Sequence, residues 1–200
     1  MTRTILFIDS ENFIALIERV LDEENIDKKT VDLTHIDINM LIDVAFPDYK
    51  ITQKIFYSAK LREHPDTLEH SRKLILRQRI LKTYVEKQGF TFVFAGNVRG
   101  QKVKVDGKSK VIFREKGVDV RIAVDMVSLA CDKKMDVAIL CSSDSDLQPA
   151  VAEVKKRKVK VVYAGFEIMP NIGLTKTTNS SVLFRKSEII AICPKRVNTR

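Results

Sequence analysis

Short apolar segments alternate with longer amphipathic segments along this chain. The apolar segments are rich in β-branched and aromatic residues, which predicts β-strands over residues 4–8, 54–58, 90–95, 137–141 and 159–163. The segments between them repeat their apolar residues with a helical period, which predicts helices over 11–22, 36–45, 65–87, 118–132 and 146–157. Strands that alternate with helices are typical of βαβ units. The sequence therefore predicts an α/β fold with a mainly parallel central sheet.

The first and fourth predicted strands are almost entirely apolar, as expected for central strands that helices cover on both faces. Both are followed directly by acidic residues. Asp9 ends the first strand, and a Ser-Ser-Asp-Ser-Asp motif at 142–146 follows the fourth. Ligands of open α/β sheets bind beyond the carboxyl ends of the strands. We therefore expect one acidic site at this edge of the sheet, with a divalent metal as its simplest ligand.

Each of these acids also has a structural interpretation. Asp9 stands where a helix N-cap accepts a backbone N–H, and taken alone it is better explained as a cap. Asp144 and Asp146 precede the helix that begins near Leu147, but only one residue can be its N-cap. Two carboxylates about 4 Å apart repel by about 4 kcal/mol at an effective dielectric constant of about 20. A cation converts that repulsion into binding, and Mg²⁺ prefers carboxylate oxygens, water and substrate phosphate as ligands.

The fourth predicted helix supplies a third acid. On a helical wheel at about 100° per residue, the apolar residues Met126 and Ala130 lie on the same side as Asp119. Asp119 is therefore predicted on the buried face, where a carboxylate must be paired, hydrogen-bonded or metal-bound; capping at the helix start is the other interpretation. Asp125 is predicted on the solvent face, as the (i, i+4) partner of Arg121, and we leave it out of the site.

Composition narrows the class of protein. Two hundred residues are enough for one domain with a full core, and 44% hydrophobic content is ordinary for a soluble globular protein. No apolar stretch reaches the roughly 20 residues needed to cross a bilayer, and the N-terminus lacks the layout of a signal peptide. Three cysteines without CxxC spacing predict reduced thiols. These features predict a cytoplasmic protein without a membrane partner.

The net charge is +9, from 35 basic and 26 acidic residues, although the strand ends are acidic. An acidic metal pocket inside a positive surface suits a phosphate-bearing polymer. Two basic segments are candidates for phosphate contacts, although a charge run is more often a solvated face. A helix carries Arg72, Lys73, Arg77, Arg79 and Lys82, and a Gly- and Lys-rich loop, or a hairpin with Asp106-Gly107 as its turn, carries Arg99, Lys102, Lys104, Lys108 and Lys110.

Other patterns argue against alternative chemistries. The glycines fit neither a Walker A loop nor the Rossmann fingerprint, which argues against a nucleotide cofactor. The three histidines are scattered, with no metal spacing. Tyr57, Phe92 and Phe94 alternate within predicted strands and are predicted as core residues rather than stacking platforms. No signature of a known RNA-binding module is present.

Three motifs together resemble those of the NYN domain, and within it the LabA-like group. They are Phe7-Ile8-Asp9-Ser10-Glu11-Asn12, Lys116-Gly117-Val118-Asp119-Val120 and Ser142-Ser143-Asp144-Ser145-Asp146-Leu147. NYN domains belong to the PIN-like superfamily of metal-dependent nucleases, so the resemblance implies a three-layer, Rossmann-like α/β/α sandwich. It covers about residues 3–165, which implies a nuclease domain over 1–165 and a C-terminal extension over 166–200 that packs on it or trails from it.

The resemblance also implies a set of site residues and a cofactor. Asp9, Asp119 and Asp144 match the core acids that bind Mg²⁺ or Mn²⁺ in the family, and Asp146 is a fourth candidate ligand. Asn12 matches an asparagine that positions Asp9 or a water on the metal.

Three functional hypotheses follow from these residues. The leading one is a metal-dependent endoribonuclease that hydrolyses RNA, or another nucleic acid. The second is a non-cleaving RNA-binding or regulatory adaptor on the same scaffold, which predicts salt-sensitive RNA binding that survives loss of the acids. The third is a different Mg²⁺ phosphotransfer enzyme, such as a phosphatase. It is the weakest, because the haloacid dehalogenase pattern needs an aspartate where Glu11 stands.

Overall fold

The computed structural model describes the backbone of residues 2–105 and 108–196, and the side chains of these residues other than 66 and 99–115. Its strands are β1 (Thr4–Asp9), β2 (Ile51–Lys60), β3 (Thr91–Val105), β4 (Lys108–Lys116), β5 (Val137–Cys141), β6 (Lys160–Phe166) and β7 (Ser180–Phe184). Its α-helices are α1 (Ser10–Glu23), α2 (Ile38–Ala45), α3 (Leu68–Lys87), α4 (Val118–Cys131), α5 (Gln148–Lys156), α6 (Ile172–Thr177) and α7 (Lys186–Ala191). Short 3₁₀ helices cover Lys28–Thr30, Pro65–Thr67 and Ser145–Leu147.

The strands form one sheet in the order β4-β3-β2-β1-β5-β6-β7. Strands β3, β2, β1, β5, β6 and β7 run parallel, and β4 pairs antiparallel with β3. The predicted mainly parallel sheet is therefore confirmed. The direction in which the chain adds strands reverses between β1 and β5, which pair at the centre of the sheet. Such a switch point opens a crevice beyond the carboxyl ends of the two strands.

Helices cover both faces of the sheet, which confirms the three-layer α/β/α architecture. Leu6 and Ile8 of β1 pack with α1, α2, α3 and α7 on one face, whereas Ile5 and Phe7 pack with α4, α5 and α6 on the other. All four side chains are buried, as a central strand requires. Burial of each contributes roughly 1.5–3 kcal/mol to the stability of the fold. The two apolar layers hold the ends of β1 and β5 in place beneath the crevice.

Helix α1 shows how local sequence selects a face. Its apolar residues recur at spacings of three and four, so that Phe13, Ile17, Val20 and Leu21 fall on one stripe. Each of them is at most 1% exposed, packed over the sheet. This orientation directs the N-terminus of α1 toward the crevice that follows β1.

Three features add to or sharpen the predicted elements. The Gly- and Lys-rich segment is a hairpin of β3 and β4, not a loop; the predicted turn at Asp106 and Gly107 lies outside the described residues. The segment after residue 165, predicted as an extension, contributes α6, the edge strand β7 and α7. These three elements are short, five or six residues each, so their periodicity is too brief to read from sequence. Among the helices of the described residues, none combines the length and the apolarity needed to span a membrane.

Candidate active site

The crevice between β1 and β5 contains most of the predicted site residues. Asp9, Asn12, Asp119 and Asp144 line one open cleft of about 460 Å³. Lys116, Gly117 and Val120 complete its lining. The acids come from three separate parts of the chain: the end of β1, the first turn of α4 and the segment after β5. The fold thus brings together four of the five residues that the resemblance implied.

Asp9 combines the cap role and the site role that the sequence left open. Its Oδ1 accepts the backbone N–H of Asn12 at 3.3 Å, which caps α1. Its Oδ2 accepts hydrogen bonds from Asn12 Nδ2 at 2.5 Å and from Ser142 Oγ at 3.2 Å. The side chain is buried, and burial raises the pKa of Asp9 despite these hydrogen bonds. No Lys or Arg of the described residues forms an ion pair with Asp9, so hydrogen bonds alone hold its carboxylate.

Asn12 is itself held by the segment after β5. Ser143 Oγ donates a hydrogen bond to Asn12 Oδ1, which orients the amide so that its nitrogen faces Asp9. The Ser143 carbonyl in turn accepts a hydrogen bond from Asn171 Nδ2 at 2.8 Å. Sequence reasoning missed Ser142, Ser143 and Asn171 as partners. Asn171 carries no local signal, because it reaches the site from the start of α6, 28 residues beyond Ser143.

Asp144 resolves the choice between the two acids after β5. It is the N-cap of the 3₁₀ helix that follows, and its Oδ1 accepts the backbone N–H of Asp146 at 2.8 Å. Its other carboxylate oxygen makes no hydrogen bond to a described residue, and Asp144 is part of the cleft lining. Asp146 is exposed and lies outside the cleft lining. The structure thus brings Asp144, and not Asp146, to Asp9.

Two glycines determine where α4 begins and hence where Asp119 lies. Gly117 has φ of 96°, in the left-handed region that favours glycine. A Cβ added to Gly96 would stand 2.0 Å from the Lys116 carbonyl oxygen. This close approach of β3 to the end of β4 sets the first turn of α4 at the cleft. Asp119 is half-buried there and makes no hydrogen bond to any other described side chain or backbone group.

The helical wheel was wrong about Asp125. The buried stripe of α4 is an (i, i+4) row that includes Val118 and Ile122, so its centre is turned away from the predicted direction. Asp125 is only 22% exposed; it accepts the Tyr57 hydroxyl at 3.0 Å and Arg121 at 2.9 Å. The pair with Arg121 is confirmed, but the predicted solvent-facing position is not. Burial and the Asp125 charge raise the pKa of Tyr57, whose hydroxyl needs an acceptor inside the fold.

The donor set of the cleft suits a hard divalent cation. Within the described residues, no three His, Cys, Asp or Glu side chains converge closely enough to hold one ion by themselves. Mg²⁺ commonly takes only one or two carboxylates and completes its shell with water and substrate phosphate. The oxygens of Asp9, Asp119 and Asp144 around one open cleft fit that mode, and they fit Mn²⁺ equally.

The same cleft also has positive character. Helices α1 and α4 both begin at it, so their N-terminal N–H groups and macrodipoles favour an anion there. Lys116 adds a charged side chain at the rim. Carboxylates for a cation and donors for a phosphate therefore share one cavity.

The predicted basic segments receive different environments. On α3, Arg72 forms an ion pair with Glu63 at 3.0 Å, and Lys82 forms one with Glu86 at 2.7 Å.

The other basic residues of α3 lie at the surface or line pockets. Lys73 is exposed. Arg79 lines a surface pocket beside Tyr84, and Arg77 lines a separate cavity between α1 and α3. The side chains of Arg99, Lys102, Lys104, Lys108 and Lys110 lie outside the described residues.

The aromatic residues of β2 and β3 partly depart from the core prediction. Tyr57 is fully buried and Phe92 packs against the core, but Phe94 is 44% exposed. Phe94 pairs in register with Ser58, near the carboxyl end of β2. The prediction of a core position is therefore wrong for Phe94, because the pairing of β3 with β4 begins only at Asn97, so that Phe94 lies at an edge of the sheet.

Comparison with known proteins decides the family. A model of the NYN domain matches residues 3–183. This chain belongs to the NYN domain family. NYN domains have a PIN-like nuclease fold, in agreement with the α/β/α sandwich and the acidic cleft. The match extends past the 165-residue limit of the motif resemblance and includes most of β7.

One solved structure supports the fold at low sequence identity. A protein of unknown function from Vibrio parahaemolyticus RIMD 2210633 is 18% identical, with a TM-score of 0.53. The alignment covers 91% of this chain and 93% of that one. No curated protein matches the chain.

Proposed function

We propose that this NYN domain is a metal-dependent endoribonuclease. The observation that carries the proposal is the meeting of Asp9, Asp119 and Asp144 around one cleft at the β1–β5 switch point. The three acids are far apart in sequence; Asp9 and Asp144 are also N-caps, but Asp119 caps no helix, so capping does not explain why all three line the cleft. Membership of a family that generally consists of nucleases supports hydrolysis of a phosphodiester, and the net charge of +9 supports a polyanionic substrate.

Asp9, Asp119 and Asp144 would supply the carboxylates for Mg²⁺ or Mn²⁺, one or two of them directly and the rest through water. When bound, the ion supplies Lewis-acid chemistry, polarising a phosphoryl oxygen and lowering the pKa of a coordinated water. Asn12 positions the Asp9 carboxylate through its amide nitrogen, and Ser143 fixes the rotamer of Asn12. Asp146 stays a predicted ligand that would have to move to reach the cleft.

The positive groups around the cleft are proposed to bind the RNA backbone. The N-termini of α1 and α4 and the ammonium of Lys116 face the place where a phosphate would lie. Basic residues of α3 and of the β3–β4 hairpin are proposed to hold neighbouring phosphates. Binding should therefore weaken steeply as salt is raised.

The decisive experiment measures cleavage of a single-stranded RNA with Mg²⁺ or Mn²⁺ by the wild type and by Asp144→Asn. Asparagine is as good an N-cap as aspartate, so this change removes a charge while it keeps the cap. We expect cleavage in the wild type, none in EDTA, and at least about a 100-fold lower rate in Asp144→Asn. An unchanged rate in the variant would refute the proposal.

Two variants on one helix give a matched control. Asp119→Asn removes a carboxylate at the start of α4, whereas Asp132→Asn removes one just past its end, about 20 Å away. Only Asp119→Asn should abolish cleavage. Salt-sensitive RNA binding without cleavage under any metal, and unaffected by Asp119→Asn, would support the non-cleaving adaptor instead.

A cytoplasmic location and the LabA-like subgroup belong to the same proposal. Cys131, Cys141 and Cys193 are free thiols, as a reducing compartment maintains.

A further inference from the structure

A second cavity lies next to the acidic cleft, between α1 and α3, with a volume of about 190 Å³. The first turn of α1 separates the two. Asp9 and Asn12 line the cleft, while the intervening Ser10 and Glu11 line the second cavity. Because consecutive Cα atoms are about 3.8 Å apart, the two cavities are neighbours on the scale of one nucleotide.

The walls of this cavity are largely aliphatic. Leucine and isoleucine side chains from four parts of the chain form them: Ile14, Leu33, Leu61, Leu74 and Leu81. Apolar walls with a few convergent polar groups are typical of pockets for small ligands. A volume of about 190 Å³ is enough for one planar heterocycle.

Two polar groups inside the cavity have unused hydrogen-bonding capacity. Gln78 Nε2 donates to Ser58 Oγ at 3.0 Å and to the Ala59 carbonyl at 2.7 Å. These two bonds fix the amide and leave Gln78 Oε1 without a donor among the described residues. Ser10 is 3% exposed, and its hydroxyl likewise has no hydrogen-bond partner in the described part of the chain. Both oxygens line the open cavity and are free to accept a hydrogen bond from a ligand there.

Charged groups of both signs complete the cavity. Glu11, on the first turn of α1, presents a carboxylate to the cavity. Arg77 lies opposite, on α3. An arginine guanidinium is a common stacking partner for an unstacked RNA base, and carboxylate and amide oxygens accept from exocyclic amino groups.

We infer that this cavity binds a nucleobase of the RNA strand, one nucleotide from the phosphate in the acidic cleft. The inference rests on the proposed function, because the cleft is what places a strand beside the cavity. Gln78 Oε1, Glu11 and Ser10 accept hydrogen bonds from the base edge, and Arg77 covers its face. Acceptors predominate, so the cavity selects adenine or cytosine, which carry an amino group, over uracil, which has none.

The test measures binding of single-stranded oligomers of about eight nucleotides, composed of adenosine, cytidine or uridine, by fluorescence anisotropy in EDTA. Without metal, no cleavage interferes. We expect the adenosine and cytidine oligomers to bind about tenfold more tightly than the uridine oligomer. Equal affinities in the wild type would overturn the inference.

Two substitutions on α3 provide the matched control. Leu74 lines the cavity, whereas Leu76 is 59% exposed on the same helix. Leu74→Trp fills the cavity and should reduce the preference to less than about twofold, while Leu76→Trp should keep it near tenfold. A preference that survives Leu74→Trp, or that is lost equally in both variants, would overturn the inference.

A smaller change guards against misfolding of the tryptophan variant. Ser10→Ala removes only the hydroxyl that lines the cavity, and it should lower the preference to about threefold without lowering the Tm. An unchanged tenfold preference would contradict the inference. Cleavage with Mn²⁺ is assayed separately: cleavage without base preference refutes the base pocket alone, and base preference without cleavage refutes the nuclease proposal alone.

Discussion

The two ends of the β1–β5 pair carry aspartates in opposite environments. At the amino ends, Asp136 accepts Arg3 through its backbone N–H at 2.8 Å, Nε at 2.9 Å and Nη2 at 2.7 Å, and these bonds lower the pKa of Asp136 to about 2. At the carboxyl ends, Asp9 is buried without an ion pair to any Lys or Arg in the described part of the chain, and burial raises its pKa. The same two strands thus hold one carboxylate that is satisfied by the protein and one that is not.

This difference separates a structural acid, Asp136, from Asp9, the proposed metal ligand. Asp136 ties the start of β5 to the chain before β1, and its charge is neutralised within the fold. The hydrogen bonds to Asp9 fix its geometry without supplying a positive charge. An arrangement that orients a carboxylate yet leaves its charge uncompensated is the arrangement expected of a cation ligand.

The largest expected effect is that Asp9→Asn impairs RNA cleavage, whereas Asp136→Asn lowers the Tm and spares cleavage. Asp9→Asn should lower the RNA cleavage rate at least about 100-fold, a loss of roughly 3 kcal/mol of transition-state stabilisation. Asp136→Asn should leave the rate within about twofold and lower the Tm, because Arg3 loses its partner. Cleavage rates and thermal melts of the two variants check this. Loss of cleavage in both variants would contradict the proposed difference in role between Asp9 and Asp136.

The next largest effect is that Mn²⁺ stabilises the fold, and that this stabilisation depends on Asp9 but not on Asp136. Mn²⁺ at about 100 times its Kd should add about 2.7 kcal/mol to the free energy of unfolding of the wild type. Asp9→Asn should lose most of this gain, whereas Asp136→Asn should retain it. Thermal melts with and without Mn²⁺ measure the gain. If Mn²⁺ stabilised Asp9→Asn as much as the wild type, the metal would bind at a site that does not include Asp9.

A smaller effect should follow from loosening Asn12. Ser143→Ala removes the hydroxyl that donates to Asn12 Oδ1, so the amide no longer holds its nitrogen toward Asp9. We expect about a tenfold lower cleavage rate with little change in Tm. In a double-mutant cycle, Ser143→Ala should add little to the loss caused by Asn12→Ala, because both act through the same hydrogen bond. Fully additive losses would contradict this role.

The smallest effect is a pH dependence of opposite sign at the two ends, measured as Tm in EDTA. The raised pKa of Asp9 means that the folded state binds its proton more tightly than the unfolded state, whose pKa is about 3.9. The wild type should therefore lose stability relative to Asp9→Asn as the pH rises from about 4 through the raised pKa.

Asp136 should behave in the opposite way. Its folded pKa of about 2 lies below the unfolded value, so its stabilisation is present above about pH 4. The advantage of the wild type over Asp136→Asn should shrink as the pH falls from about 4 to about 2. The same slope for both variants would show that the two aspartates do not differ in environment.

Local patterns predicted much of the fold and of the candidate site. Helices and strands with several periods of apolar residues, such as α1 and β5, were predicted at nearly their observed bounds. The acids at strand ends were visible because parallel strands bring their carboxyl ends to one edge. The short β7 and α7 escaped prediction, because five or six residues carry too little periodicity.

Asp125 shows where a one-dimensional pattern fails. A helical wheel assumes that the apolar residues define the buried direction, but here a polar contact shares that side of α4. The hydroxyl of buried Tyr57 requires an acceptor, and Asp125 supplies it across the sheet–helix interface. Nothing near Asp125 in sequence marks this partner, which lies 68 residues away.

The sequence by itself determined the α/β class, the apolar central strands and the chemical character of the acidic motifs, because these depend on residue type and on periods of two or 3.6 residues. Only the tertiary structure decided which acids share the cleft. It placed Asp144 beside Asp9 and left Asp146 outside, and it set Ser10 and Gln78 around one cavity. These outcomes depend on strand order and on close approach of distant segments, which the packing of the whole chain determines.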